Sequence, residues 1–190
     1  MNTRLIGMVC AIAGASLGIV GAANAQLVVQ DLTGGLNAGD LVTALVGPGV
    51  TVTNVQFAGD NTAAGTFSGG TSALGFANGI ILSSGCVTNV LAIGGMNNSN
   101  NSTCDNNNPG DVDLDTLIPG YQTFDRCTLE FDFECPNVQV ISFEYVFSSE
   151  EYNEYANTAF NDVFGFFLNG VNVALLPDNV PPVPICARSE

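Results

Sequence analysis

The sequence predicts an all-β fold, a β-sandwich that could take jelly-roll form, with one short helix. Two observations carry that expectation. Short apolar runs recur between Gly- and Asn-rich turns. Two of the runs are joined by Asn169-Gly170, and Asn-Gly between apolar runs is the strongest short-range hairpin signal.

The elements follow in chain order. Gln26 to Gln30 reads as a short apolar strand. Ala38 to Val46 carries Leu41, Val42, Leu45 and Val46 at helical spacing, with Asp40 near its start and Gly47-Pro48-Gly49 as its stop. Val50 to Phe57 places Val50, Val52, then Val55 and Phe57 between polar residues. Residues 64–68 and 79–84 are short strands between Gly-rich turns. Gly94 to Gly110 is an Asn-rich loop with Asn-x-Ser/Thr acceptors at Asn97, Asn100 and Asn101. Thr128 to Glu134 alternates Leu129, Phe131 and Phe133 with Glu130, Asp132 and Glu134, one apolar and one acidic face. Val138 to Phe147 is the next strand. Asp162 to Leu168 and Val171 to Leu176 are the pair joined at Asn169-Gly170. No internal repeat and no second domain is visible.

The N-terminus reads as a secretory leader. Arg4 is the positive n-region, Leu5 to Val20 an apolar h-region, and Ala23-Asn24-Ala25 the cleavage site. The expected organisation is therefore a leader at 1–25 and one β-sandwich domain at 26–190, secreted or at the cell surface. The apolar run is about 16 residues, short of the ~20 that a membrane span needs. Cys10 follows Gly7-Met8-Val9, a poor lipobox, and is assigned to the leader.

Charge excludes several functions. The 190 residues hold 18 Asp+Glu, three Arg, no Lys and no His, a net charge of -15. Removing the leader leaves two arginines and a net charge of -16. Two arginines cannot neutralise a phosphate backbone or grip an anionic membrane surface. Without His, neither a nucleophilic triad nor a His-ligated zinc can form.

Five cysteines follow the leader: Cys86, Cys104, Cys127, Cys135 and Cys186. An oxidising compartment favours disulfides over thiol catalysis. Cys127 and Cys135 flank a strand and would lie roughly 26 Å apart at ~3.3 Å per residue, too far to pair. Cys86 and Cys104 bracket the polar loop and are the preferred bridge, with Cys186 left over.

Two acidic constellations could hold a metal. If 138–147 and 162–168 form a hairpin, the ends of the loop between them meet. Glu150 and Glu151 then lie near Asn161 and Asp162. Carboxylates with a side-chain amide are the oxygen set that Ca²⁺ takes, against a reading as a solvated acidic loop. The second constellation is Asp111, Asp113 and Asp115. It lacks the Gly and Glu of an EF-hand, since Thr116 and Gln122 stand there, and a helix cap at Asp111 or Asp113 competes with the metal reading. Tyr152 and Tyr155 are candidate contacts to a surface glycan or a protein, against packing across the loop. Glu150 with Glu154 or Asp162 is the acid/base pair of a remote glycosidase reading. No catalytic residue is assigned.

Residues 143–168 resemble a known family. Phe143-Glu-Tyr-Val-Phe-Ser-Ser-Glu-Glu-Tyr152 and Phe160-Asn-Asp-Val-Phe-Gly-Phe-Phe-Leu168 are similar to motifs of the choice-of-anchor L domain. Gly47-Pro-Gly-Val-Thr-Val-Thr-Asn-Val55, Phe67-Ser-Gly-Gly70, Gly79-Ile-Ile-Leu-Ser-Ser-Gly85 and Gly110-Asp-Val-Asp-Leu-Asp115 follow the same pattern in the same order. The resemblance covers about residues 37–177. It implies a secreted or surface-displayed β module without enzymatic activity. The family's domain would continue with more strands past Glu190, and no anchor follows the domain here, so the chain is expected to be C-terminally incomplete. A missing strand would leave an open sheet edge, which invites association.

Overall fold

The structure, a computed structural model, describes residues 2–7, 10–13, 26–92, 104–136, 142–149 and 162–176, with 2–7, 10–13, 91 and 92 described by backbone path. Its strands are β1 (Asn2–Gly7), β2 (Cys10–Ala13), β3 (Val28–Asp31), β4 (Thr51–Ala58), β5 (Ala64–Ser68), β6 (Asn78–Leu82), β7 (Thr128–Glu134), β8 (Tyr145–Phe147), β9 (Phe164–Leu168) and β10 (Val171–Asn172). They form two five-stranded antiparallel sheets. The first has the order β10-β9-β1-β7-β4, the second β3-β5-β6-β2-β8. This is the all-β sandwich that the sequence predicts.

The core lies between the sheets. β7 turns Leu129, Phe131 and Phe133 inward, β9 adds Phe164 and Phe166, and β5 and β6 add Ala64, Ile80 and Leu82. Rings tie the two layers together. Phe143 stands edge-on to Phe166 with centroids 4.0 Å apart, and Tyr145 lies 5.4 Å from Phe164. Aromatic pairs at such spacing stabilise beyond their area burial, by roughly 0.5–1.5 kcal/mol each.

Two strands are covered on both faces, which explains their unbroken apolar runs. β9 turns Phe167 outward against Leu114, Ile118 and Val163. β6 turns Ile81 outward against Phe67 and Val87. The covers are short helices, and here the expectation of a single helix is corrected. Four are described: α1 (Ala38–Leu45), α2 (Thr71–Leu74), α3 (Asn89–Ala92) and α4 (Val112–Leu117), with a 3-10 turn at Leu32–Gly34. α2 and α3, four residues each, are too short to show a 3.6-residue period, and α4, six residues long, shows in the sequence only as the alternative of a cap at Asp111 or Asp113.

Local chemistry sets the predicted elements. α1 begins in a capping box: the Gly39 N–H donates to Asn37 Oδ1 and the Asn37 N–H to Asp40 Oδ2, both at 2.8 Å. Leu41 and Val42 seat it on the core. β4 changes phase between Val52 and Val55 because its register against β7 shifts between Thr53 and Gln56. Asn54 takes a left-handed φ of 53° at that bulge, and its side-chain amide donates to Asp132 Oδ2 at 2.5 Å. The Asn169-Gly170 turn has positive φ at both residues, 50° and 78°, which fits a two-residue hairpin of the twist the flanking strands need.

One topological expectation fails. β8 and β9 are not a hairpin: β8 pairs β2 in the second sheet, and β9 pairs β1 and β10 in the first. The chain passes from one layer to the other there, and its inward rings meet across the core, edge-on at Phe143–Phe166 and tilted at Tyr145–Phe164. Of the predicted strand 138–147, residues 145–147 are strand, 142–144 are not, and 138–141 lie outside the described residues.

Candidate functional site

The stretch 104–126 is built from short polar contacts. The Cys86–Cys104 disulfide anchors its start, with Cα atoms 5.4 Å apart, as the sequence predicts. Beside it the Asn106 amide donates to the Ser84 carbonyl at 2.7 Å. Pro109 and Phe124 form an isolated antiparallel bridge. Gly110 passes so close to Thr123 that a Cβ there would sit 1.9 Å from the Thr123 carbonyl oxygen, so only glycine fits.

That close approach brings the α4 carboxylates to Thr123. Asp111 is buried, caps α4, and accepts from the Asp113 N–H at 3.0 Å. Its own N–H donates to Thr123 Oγ1 at 2.8 Å. Asp115 Oδ1 accepts from both the N–H and the hydroxyl of Thr123, each at 2.7 Å. Asp125 Oδ1 accepts from the Asn108 N–H at 2.7 Å. These carboxylates therefore satisfy backbone donors at a helix start and a loop crossing. Val112 is exposed while Leu114 is buried, the alternation of a first helical turn.

Asp162 occupies the other candidate region. It is half-buried at the start of β9, and the Ser149 hydroxyl donates to its Oδ2. Burial pushes the Asp162 carboxyl above its ordinary value, and the Ser149 hydrogen bond opposes that only in part. Ser149 and Asp162, which flank residues 150–161, thus meet through a side-chain pair that bridges the layers rather than through the expected hairpin ladder. Glu150, Glu151, Tyr152, Glu154, Tyr155 and Asn161 lie outside the described residues, as do Asn97, Asn100, Asn101 and Cys186. Among the described residues, no group of three or more His, Cys, Asp or Glu stands close enough to hold a metal ion.

Other reactive groups are also engaged or sealed. The N–H and hydroxyl of Thr62 hold the Asp60 carboxyl below its usual range. Cys127 is buried, its Sγ 3.1 Å from the Ala63 carbonyl oxygen, and burial pushes the thiol up to about 12. A groove of about 500 Å³ between α1 and β4 is lined by Val42, Thr43, Val46, Val50, Val52 and Val55 among others, none of them ionisable. Two exposed aromatics escape the sequence reading: Phe124, 69 % exposed, and Tyr121, 38 % exposed. Their only sequence signal is a ring placed within a polar loop.

The choice-of-anchor L domain model matches residues 29–187. The chain belongs to the choice-of-anchor L domain family. Its motifs fall on the sandwich as the order of the resemblance requires, on β4, β5, β6, α4, β8 and β9. Choice-of-anchor L domains occur on secreted or cell-surface proteins, so this one is a surface-associated module, and the family is not an enzyme family. No curated protein and no solved structure matches the chain. Among the described residues, no helix is long and apolar enough to cross a membrane.

Proposed function

We propose that this choice-of-anchor L domain is a non-enzymatic structural or adhesive module, exported by its N-terminal leader. The observation that carries this reading is the employment of its polar groups. Asp111, Asp115, Asp125 and Asp60 each accept backbone N–H donors within the fold. None converges with a base and a nucleophile on an open cavity, the arrangement a catalytic site needs. The chemistry favours a rigid scaffold with a strongly acidic surface.

Calcium enters this reading at the loop that starts beside Ser149 and ends at Asp162. Glu150, Glu151, Asn161 and Asp162 supply hard oxygen ligands, and no Lys or Arg stands near them in sequence. Thermal unfolding with EDTA and with millimolar Ca²⁺ tests it. At a hundredfold excess over the dissociation constant, binding to the native state contributes about 2.7 kcal/mol. For a chain of this size that raises the midpoint by about 5–11 °C. No shift, or an equal shift with Mg²⁺, removes calcium from the reading.

Adhesion is tested with beads coated with the oxidised chain, presented to a glycan array and to immobilised extracellular proteins. Retention that survives Glu150→Gln and is accompanied by no hydrolysis supports an adhesive module. Glycan retention lost on Tyr152→Ala or Tyr155→Ala makes it a carbohydrate-binding module. Hydrolysis abolished by Glu150→Gln overturns the non-enzymatic reading in favour of a glycosidase.

A further inference from the structure

β1 and β2 come from the segment that the sequence reads as a leader, yet each lies inside a sheet. β1 sits between β7 and β9, with five register pairs to each. β2 sits between β6 and β8, with four pairs to the first and three to the second. The family match begins at residue 29, so neither strand belongs to the domain as the family defines it.

Without these two strands the domain has a one-strand gap in each sheet. β7 and β9 would face each other across roughly 9.6 Å, twice the strand spacing, and so would β6 and β8. All four strands would present rows of unpaired N–H and C=O groups. Unpaired rows of this kind accept a strand from elsewhere. Direct closure is disfavoured by the core. Leu129 and Phe166 of the first sheet, and Ile80 and Leu82 of the second, are buried in one cluster, and closing either gap would have to shift them within it.

The register states what the gaps accept. In the first gap, Leu5 is in register with Leu129 and Phe166, and both of those partners lie in the core. Arg4 is opposite Glu130, and Asn2 is opposite Asp132, on the acidic row of β7. The fourth position is thus in register with the acidic row of β7 on one side and with Phe167 of β9 on the other. In the second gap, Ile12 is opposite Ile80 and Tyr145, and Cys10 is opposite Leu82 and Phe147. That gap takes small or apolar residues without charge. A leader h-region is apolar on every side, and so is a strand at the centre of a covered sheet.

We propose that the domain carries a two-gap strand-acceptor site and that β1 and β2 are the two strands it accepts. They complete both sheets, and they remain bound without a covalent link when the chain is cut between Ala25 and Gln26. The site does not depend on whether the module is adhesive or binds calcium.

The test uses the full chain with a specific protease site inserted between Ala25 and Gln26, purified unprocessed and oxidised. After cleavage, the 1–25 fragment is expected to co-elute with the 26–190 body. Backbone amides of β1 and β2 are expected to keep their protection from hydrogen exchange, and Leu5→Pro with Ile12→Pro to release the fragment on cutting, because proline removes a ladder donor. Separation of the fragment overturns the proposal, whether the body then keeps its unfolding midpoint, unfolds, or pairs with a second copy. Co-elution without amide protection at β1 and β2 overturns it as well, since greasy adhesion makes no ladder.

Discussion

The Ser149 hydroxyl donates to the carboxylate of Asp162 and thereby ties the end of β8, in one sheet, to the start of β9, in the other. Burial holds the Asp162 carboxyl above its ordinary value. For a carboxyl raised in the folded state, the stability it contributes is complete below the unfolded value of about 3.9 and is lost as pH rises through the folded value. At pH 7 the ionised group therefore opposes folding. Asp162→Asn keeps an acceptor for Ser149 and cannot ionise. In EDTA, the variant is expected to be more stable than the parent at pH 7, with the difference closing below about pH 4. Urea unfolding at several pH values measures this. Added Ca²⁺ should reverse the order at pH 7 if the carboxylate ligates the ion.

Asp111 separates capping from metal binding at the other candidate region. Its carboxylate accepts from the Asp113 N–H while itself buried. Asp111→Ala removes the cap and should cost about 1–2 kcal/mol, a fall of about 2–8 °C in midpoint. Asp111→Asn should recover most of that. Both effects should be the same in EDTA and in Ca²⁺. A loss that appears only with Ca²⁺ present would assign the residue to a metal instead.

The parts of the fold legible in the sequence were those with a dense local signal. The alternation of Leu129, Phe131 and Phe133 with acidic residues gave β7 at its observed bounds, and Asn169-Gly170 gave the β9–β10 turn. Cys86 and Cys104, bracketing a polar loop, gave the disulfide. What stayed hidden depends on long-range packing. Nothing local distinguishes a hairpin after Phe147 from a crossing between layers, because either would turn Tyr145 and Phe164 onto apolar neighbours. The donors to Asp115 come from Thr123, and their approach depends on Gly110. A run of alternating aspartates looks the same from sequence whether it ligates a cation or caps a helix.

Thr128 is a buried polar group of a different kind. Its hydroxyl, on β7, is the one buried side-chain oxygen or nitrogen without a hydrogen-bond partner among the described residues. An unsatisfied buried hydroxyl costs roughly 1–3 kcal/mol, and an apolar group of the same shape removes that cost. Thr128→Val should therefore stabilise the chain by about 1 kcal/mol and raise the midpoint by about 2–4 °C. A decrease would reveal a partner for the hydroxyl.

The disulfide closes a loop between residues 18 apart. In the chain-entropy model such a cross-link contributes roughly 3 kcal/mol. Replacing Cys86 and Cys104 together by Ser should lower the midpoint by about 6–12 °C. Reduction of the parent with a thiol reagent should reproduce the fall and leave the double variant unchanged.

The two cysteines that end β7 should differ in reactivity although they flank one strand. Cys127 is buried, and its thiol, pushed up to about 12 by burial, stays protonated at pH 8. The thiolate is the nucleophile, so iodoacetamide has neither access nor a reactive form there. Cys135 is a half-buried free thiol at the far end of the strand. Peptide mapping after alkylation of the folded chain is expected to find label on Cys135 and none on Cys127, with Cys127 labelled once denaturant is added. If Cys127 is labelled at the same rate as Cys135 under native conditions, the β5–β7 side of the core opens far more readily than its packing implies.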